Sequence, residues 1–187
     1  MPNSEAKNML SLWCKNNHIN FHLLESQAEC NGVRCAYQLP KKFGVDRWLT
    51  LLGTHYLFPS QHCLIVDTGT ATTVDYLDNK GQHHGGWILA GISTLVSALV
   101  NDTANVAAEA AQVNTLTLAD NTASAVNHGA LAATVGMVQQ AHWQITNLYN
   151  VNSDDLKIVI TGGNGKLLQD HLPMQSVVDD KLVFIGI

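Results

Sequence analysis

The chain has 187 residues, of which 46% are apolar and only 13% are charged, and its net charge is −5. This length and apolar fraction suggest one domain, or two small lobes that share a core. The acidic balance argues against a surface that neutralises nucleic-acid phosphates and against a basic membrane-binding patch. The longest stretch with neither a charged residue nor a histidine, 85–101, is shorter than the ~20 apolar residues of a membrane-spanning helix. We therefore expect no nucleic-acid partner and no membrane partner.

The first five residues contain neither a basic segment nor an apolar segment, so no secretory signal is visible. The cysteines are spaced neither as the paired CxxC of a zinc site nor as a dense disulfide framework. The adjacent pair His83-His84 would face opposite sides of a strand, which disfavours a histidine metal site. The sequence thus predicts a cytoplasmic protein with reduced, structural thiols.

The first part of the chain predicts two helices and two short strands. An apolar stripe behind Ser4 predicts a helix over 4–16, and a second helix begins at Asp46 and ends near His55. Alternating apolar residues predict strands over 19–24 and 33–37. A loop over 40–44 separates them from the second helix.

A second unit begins near Ser60 and has the order βββ, helices, β, α, β. The predicted strands are 63–67, 71–77, 83–89, 157–160 and Leu182–Ile185, with a hairpin turn at 78–81. The predicted helices run from Gly91 to about Val100, over 121–149 as one long helix or two abutting ones, and over about 165–170.

The segment Asp67-Thr68-Gly69-Thr70 follows a buried apolar strand. Its carboxylate would project beyond the sheet edge, where it could hold a hard cation. Gly69 lets the backbone approach a ligand closely, and turn N–H groups together with threonine hydroxyls can hold phosphate oxygens. The alternative is an ordinary β-hairpin in which Asp67 accepts hydrogen bonds from turn amides.

The segment Gly44-Val45-Asp46-Arg47 lies at a predicted helix start. Asp46 could act as a base, and Arg47 could bind a carboxylate or a phosphate with its planar fork. The alternative is that Asp46 only caps the helix and that Arg47 is solvated.

Four further features are weaker. The glycines of Gly85-Gly86 and Gly91 indicate either close backbone or ligand packing, or a bulge and a turn. Thr161-Gly162-Gly163 joins a buried strand to a helix, as a nucleotide-approach loop does, but a plain turn fits equally. Thr122 either caps the long helix or presents its hydroxyl to a substrate. Tyr37, just before the loop, is most simply a core or rim aromatic.

Together and in this order, these segments resemble the type III pantothenate kinases, the family that includes the Bvg accessory factor-like proteins. Residues 37–47, YQLPKKFGVDR, are similar to the family's YxxPxxxGxDR element, and residues 67–75, DTGTATTVD, are similar to its DxGTATTVD element. Residues 85–91, GGWILAG, are similar to GGxIxPG, with Ala90 in place of proline. Thr122 and the TGG of 161–163 stand where the family has a substrate-side threonine and a nucleotide-side TGG.

The resemblance implies an α/β fold of the acetate and sugar kinase, heat-shock protein and actin type. This fold has two lobes, each with a βββαβαβ core, and ATP binds between them. Residues 60–187 would form a complete second lobe, and residues 1–59 would be the remainder of the first lobe, with the GxDR helix. Family members open with a strand that carries a DxGN(T/S) phosphate loop, and no such element precedes Tyr37. About a quarter of the expected chain is absent by this comparison.

The function implied by the resemblance is phosphorylation of the pantothenate 4′-hydroxyl by ATP in coenzyme A synthesis. Asp46 would be the general base. The substrate pocket would be formed by Tyr37, Gly44, Val45, Asp46, Arg47 and Thr122, with Arg47 on the substrate carboxylate. ATP would contact Gly69, Thr70, Gly162 and Gly163 and bring Mg²⁺, and Asp67 would hold a monovalent cation, K⁺ or NH₄⁺. Family members are homodimers whose pantothenate pocket draws on both subunits.

Two alternatives to an active pantothenate kinase stay open. A chain without the first phosphate loop could be an inactive pseudokinase or a regulatory binding protein, and we expect this chain alone to bind ATP poorly. Another small-molecule kinase or phosphatase of the same superfamily is the second alternative. The intact Gly44–Arg47 segment favours pantothenate over a sugar.

Overall fold

The computed structural model of the protein describes residues 4–102 and 115–187. The helices are α1 (Ser4–Asn16), α2 (Val45–Leu57), α3 (Ile92–Asp102), α4 (Thr122–Leu148), α5 (Gly165–Gln169) and α6 (Leu182–Ile185). The strands are β1 (Glu29–Cys30), β2 (Val33–Arg34), β3 (His62–Thr68), β4 (Ala71–Leu77), β5 (His83–Ala90), β6 (Leu156–Thr161) and β7 (Ser176–Val178).

A five-stranded mixed sheet with the order β5-β4-β3-β6-β7 organises the molecule. Strands β3, β4 and β5 are antiparallel neighbours, whereas β3, β6 and β7 run parallel. The central strands β3 and β6 are apolar along most of their length because helices cover both of their faces. From β3 onward the observed order is βββ, helices, β, α, β, α. It matches the predicted order except at its end, where the last strand is β7 and residues 182–185 are helical.

The two faces of the sheet carry separate hydrophobic cores. Alternate residues of a strand point to opposite faces, so Leu64 and Val66 pack under α3, α4 and α5. Their neighbour Ile65 packs on the other face with Trp48 of α2 and Leu182 of α6. The helix start with Asp46 and the start of α4 therefore belong to opposite faces of the sheet.

Most predicted elements are found, and strand β4 has the predicted bounds. The long helix is one continuous helix, α4, whose N-cap is Asn121: its side chain accepts a hydrogen bond from the Ser124 N–H at 2.9 Å. The cap role considered for Thr122 is therefore wrong. The hairpin turn at 78–81 is present, with the Gly81 N–H donating to the Asp78 carbonyl at 3.0 Å.

Two strand predictions in the first part are wrong or too long. Residues 19–24 form no strand, and Ile19, Leu23 and Leu24 are each more than 40% exposed. Their alternating pattern has no neighbouring strand to pair with in the part of the chain that the structure describes. The strand predicted over 33–37 is only β2, which pairs with β1.

The last predicted strand, 182–185, is the short helix α6, and the last strand is β7 instead. A short apolar run does not distinguish a strand from a buried helical turn. The helix is selected by close packing on α2. A Cβ at Gly53 would overlap the Leu182 carbonyl, and a Cβ at Gly186 would overlap the Leu49 carbonyl.

Within the described ranges, no helix is both long enough and apolar enough to cross a membrane. The four cysteines are free thiols. Burial raises the pKa of the Cys63 thiol to about 12, against a small opposing effect of Lys157. This thiol is therefore protonated at neutral pH and behaves as a small apolar side chain.

Candidate functional site

The candidate site lies at the carboxyl ends of the parallel strands β3 and β6. Asp67 is the second-last residue of β3 and stands beside Thr161, the last residue of β6. Ligands of open α/β sheets bind in the crevice beyond such strand ends. The two glycine-containing segments that follow these strands therefore meet at one edge of the sheet.

Asp67 is a half-buried carboxylate whose charge is not compensated by its neighbours. Its side chain has no hydrogen-bond or ion-pair partner among residues 4–102 and 115–187. Burial raises its pKa, and the negative charge of Asp46 raises it further. The alternative in which Asp67 accepts hydrogen bonds from its own turn is therefore not found. A bound cation would relieve both unfavourable effects.

The turn after β6 packs directly on the turn after β3. Gly162 has φ +90°, and a Cβ there would lie 2.6 Å from both Asp67 Oδ1 and the Thr68 carbonyl oxygen. The same carbonyl accepts a hydrogen bond from the Asn164 N–H at 3.1 Å. Gly163 faces open space, since a Cβ there meets no atom within 4 Å. This arrangement leaves room for a ligand beside Gly163.

The Gly69-Thr70 turn is held from the other side by the start of α3. The Thr70 carbonyl accepts hydrogen bonds from the Gly91 N–H at 2.9 Å and from Thr94 Oγ1 at 3.0 Å. A Cβ at Gly91 would overlap the Gly69 carbonyl. Gly91 therefore serves close backbone packing, which is one of the two interpretations considered for it.

Gly85 and Gly86 fit both interpretations of their segment. The register between β4 and β5 shifts between Asp75 and Leu77, and Gly85 has φ +102°, as in a bulge. A Cβ at Gly86 would overlap the Val74 carbonyl and lie 2.5 Å from Asp75 Oδ1. The bulge and the close packing thus occur at adjacent residues.

At the start of α2 the N-cap is Gly44, not Asp46, and no side chain caps the helix. Asp46 lies in the first turn, is exposed, and has no hydrogen-bond partner for its carboxylate in the described residues. A carboxylate in a first helical turn is stabilised by the helix dipole. Asp46 is therefore an accessible acceptor, and its negative charge acts on Asp67.

Arg47 is buried, so the alternative of a solvated guanidinium is wrong. It is 6% exposed and donates from Nε to Asp75 Oδ2 at 2.8 Å and from Nη2 to Asp75 Oδ1 at 2.6 Å. Its Nη1 donates to the Tyr37 hydroxyl at 3.2 Å. Burial lowers the pKa of Arg47, but the hydrogen bonds and charges of Asp75 and Tyr37 together outweigh burial and raise it above its ordinary value.

Sequence reasoning gave no role to two residues of this site, Asp75 and His83. Asp75 is 1% exposed, and its Oδ1 lies 2.9 Å from Nε2 of the fully buried His83. The sequence did contain a signal for Asp75, because an aspartate inside an apolar strand needs a buried partner. What the sequence does not contain is the identity of that partner.

Thr122 is not brought to the other predicted substrate residues. It is exposed at the start of α4, beside a groove of about 970 Å³ between α3 and α4. Tyr37, Gly44, Val45 and Arg47 lie on the α2 side of the sheet. Within one chain, the described residues therefore bring together the predicted substrate residues other than Thr122.

The residues at this edge fit a nucleotide with its divalent metal. No group of three or more metal-ligating side chains occurs among the described residues. Two carboxylates without a partner in the described residues, Asp46 and Asp67, do lie near enough for the charge of one to act on the other. Magnesium in phosphoryl-transfer sites is held by one or two carboxylates together with phosphate oxygens and water. Asp67 is the residue that would hold a cation here.

Comparisons with known proteins identify the family of the chain. Residues 3–144 match the family model described as type III pantothenate kinase. Type III pantothenate kinases of Colwellia psychrerythraea and Pseudoalteromonas translucida are 39% and 38% identical to the chain, over 95% and 83% of its length. These matches cover 74% and 63% of the two relatives. The chain thus spans about two thirds to three quarters of their length.

A solved structure supports the fold. A conserved Baf family protein of Campylobacter jejuni, described as a transcriptional activator, has a TM-score of 0.52 and is 22% identical. The match covers 87% of this chain and 65% of that protein. The α/β fold of the acetate and sugar kinase, heat-shock protein and actin type is confirmed. The division into a partial first lobe and a complete second lobe stays a prediction.

Proposed function

Because the chain belongs to the type III pantothenate kinase family, we propose that it phosphorylates the 4′-hydroxyl of pantothenate with ATP, the first step of coenzyme A synthesis. The observation that carries the proposal is that Asp46, at the start of α2, lies near enough to Asp67, at the end of β3, for its negative charge to raise the pKa of Asp67. One exposed carboxylate is available for the substrate hydroxyl. The other carboxylate, Asp67, is available to bind a cation that accompanies the phosphates.

Asp46 is the proposed general base. It accepts the hydroxyl proton while the hydroxyl oxygen attacks the γ-phosphorus and the bond to the β–γ bridging oxygen breaks, so that ADP leaves. Phosphoryl transfer depends mainly on positioning and on neutralising charge. An exposed aspartate held at a helix start can therefore serve as the acceptor.

Tyr37, Gly44, Val45 and Arg47 are the proposed pantothenate-binding residues on this side of the sheet. The Nε–Nη2 edge of Arg47 is occupied by Asp75. The edge formed by Nη1 and Nη2 is what remains for a substrate carboxylate, and the Tyr37 hydroxyl adjoins it at 3.2 Å. A guanidinium can bind one carboxylate on each of these edges.

The nucleotide side of the proposed site consists of Gly69, Thr70, Gly162 and Gly163. The exposed Thr70 offers a hydroxyl, and Gly163 borders open space that is available to phosphates. ATP would bring Mg²⁺, and Asp67 would hold the monovalent cation, K⁺ or NH₄⁺. The cation's contribution would be to neutralise phosphate charge next to the two carboxylates.

We further propose a homodimer in which Thr122 contributes to the pantothenate pocket of the partner subunit. The support is that Thr122 lies on the opposite face of the sheet from Arg47 in its own chain. Mixing an Asp46→Asn protein with a Thr122→Ala protein tests this. A shared pocket predicts that mixed dimers recover part of the activity that each variant lacks, whereas separate pockets predict no recovery.

The proposed activity is tested by following pantothenate-dependent release of ADP together with calorimetric binding of pantothenate. Turnover that Asp46→Asn abolishes supports the kinase. Pantothenate binding without turnover favours the pseudokinase alternative, and the absence of both overturns the proposal. The cytoplasm as the place of this reaction rests on the four free thiols and stays a prediction.

A further inference from the structure

We propose that Asp75 and His83 are positioning residues of the substrate site, which hold the Arg47 guanidinium in the orientation that receives the substrate carboxylate. This inference rests on the function proposed above. Its own basis is a buried chain of hydrogen bonds, His83–Asp75–Arg47, that crosses from β5 through β4 to α2.

The orientation of Arg47 is fixed by contacts on three sides. The carboxylate of Asp75 binds one edge of the guanidinium in a bidentate manner, since each of its oxygens accepts one hydrogen bond, at 2.8 and 2.6 Å. The guanidinium carbon lies 4.5 Å from the centre of the Phe43 ring, which covers one face. The Tyr37 hydroxyl accepts from Nη1 at 3.2 Å. The guanidinium therefore has little freedom to turn.

The protonation of His83 follows from its two neighbours. The backbone N–H of Ala36 donates to Nδ1 of His83 at 3.3 Å, so Nδ1 is the unprotonated nitrogen. Nε2 then carries the proton and donates it to Asp75 Oδ1 at 2.9 Å. His83 is fully buried, and as a neutral imidazole it leaves the negative charge of Asp75 to Arg47 alone.

The backbone around Asp75 is shaped for this contact. A Cβ at Gly86, the residue paired with Asp75 in the sheet, would lie 2.5 Å from Asp75 Oδ1. The edge strand thus has no side chain at the place where the carboxylate meets Arg47 and His83. Of the pair Gly85-Gly86, only Gly86 lies against the Asp75 carboxylate, since a Cβ at Gly85 would meet nothing within 4 Å.

Stability alone gives a poor reason for this arrangement. A buried ion pair is often no more stabilising than well-packed apolar residues of similar volume. A bidentate pair does fix the plane of a guanidinium. Since Arg47 follows the proposed base directly in the sequence, fixing that plane also fixes where the substrate carboxylate lies relative to Asp46.

The adjacent histidines provide a matched experiment. His83 and His84 each lie 2.9 Å from an aspartate oxygen, but the partner of His84 is Asp78 in the hairpin, away from Arg47. His83→Leu removes the donor to Asp75, and His83→Gln retains an amide donor. His84→Leu is the control. The two readouts are the ¹⁵N–¹H signal of Arg47 Nε and the calorimetric affinities for pantothenate and for ADP.

We expect His83→Leu and Asp75→Asn to shift the Arg47 Nε signal and to weaken pantothenate binding by about ten- to a hundredfold, the factor given by one charge-assisted hydrogen bond. ADP binding should change much less. His83→Gln should restore most of the pantothenate affinity, and His84→Leu should alter neither readout. Because Asp75→Asn removes a buried charge and can impair folding, the His83 variants carry the test.

Two results would overturn the proposal, and a third would separate the orientation of Arg47 from the identity of the substrate. An unchanged Arg47 signal in His83→Leu shows that His83 does not act through Arg47. A shifted signal with unchanged pantothenate affinity shows that the contact is structural only. If the wild-type chain binds no pantothenate while the Arg47 signal responds as expected, the proposed substrate is wrong, and the orientation of Arg47 by Asp75 and His83 stands without it.

Discussion

Gly162 packs against the carboxylate of Asp67, and a Cβ at residue 162 would lie 2.6 Å from Asp67 Oδ1. Gly162 directly follows β6, and Asp67 is the second-last residue of β3, the parallel neighbour of β6 in the sheet. Any side chain at residue 162 would push Asp67 or the Thr68 carbonyl away from its position. The glycine therefore sets where the candidate cation-binding carboxylate can lie.

Gly162→Ala should destabilise the protein and weaken nucleotide binding. At φ +90° an alanine is strained, by roughly 1–2 kcal/mol for a left-handed backbone, and the clash with Asp67 adds to this. Thermal unfolding measures the first effect and ADP calorimetry the second. Gly163→Ala is the matched stability control, since its Cβ meets nothing within 4 Å. Equal melting temperatures for both variants would contradict the packing described here.

Asp67→Asn should raise the melting temperature at pH 7 while abolishing cation-dependent nucleotide binding. The pKa of Asp67 is raised in the folded state by burial and by Asp46, so the ionised carboxylate disfavours folding at neutral pH. This penalty is absent below the unfolded pKa of 3.8 and is complete above the raised folded pKa.

The gain in melting temperature from Asp67→Asn should therefore shrink as the pH falls towards 4. A stabilisation of ~1 kcal/mol corresponds to about 2–4 °C in a domain of this size. Melting curves of both proteins between pH 4 and pH 8 test the sign. A wild-type protein that is more stable than the variant at pH 7, without added cations, would show that Asp67 has a stabilising partner.

Asp46→Asn should reduce kcat by about 10²–10⁴-fold, the usual contribution of a general base. Because Asp46 is exposed and its carboxylate has no partner in the described residues, stability should change by only about 0.5 kcal/mol or less. Asp154→Asn, an exposed carboxylate at the amino end of β6, serves as the control. Near wild-type turnover in Asp46→Asn would remove Asp46 from the chemistry.

Arg47→Ala should impair both pantothenate binding and folding. It leaves Asp75, which is 1% exposed, as an uncompensated buried charge, and breaking a buried pair in this way costs about 3–5 kcal/mol. The double variant Arg47→Met with Asp75→Asn should recover most of the melting temperature but not the pantothenate affinity. If Arg47→Ala alone kept the wild-type melting temperature, the buried pair would not exist in solution.

The local sequence is sufficient to predict the elements that position the proposed nucleotide side of the site. The apolar run of β3 ends in Asp67, Gly69 provides the turn, and β4 begins at Ala71 as expected. These features are encoded by residues a few positions apart, because turn glycines and strand alternation act locally. The helix start at Gly44 is likewise local, although the identity of its N-cap was predicted wrongly.

The tertiary structure decided the features that depend on residues far apart in the chain. The run 182–185 became helix α6 because its backbone packs closely on α2, at Gly53 of α2 and at Gly186 directly after α6. Arg47 became a buried partner of Asp75 because α2 packs on the face of β4 from which that carboxylate projects. Thr122 came to lie on the other face because α4 covers the opposite core. Which face an element covers is determined by the burial of complementary apolar surfaces, and local propensity contains no information about that choice.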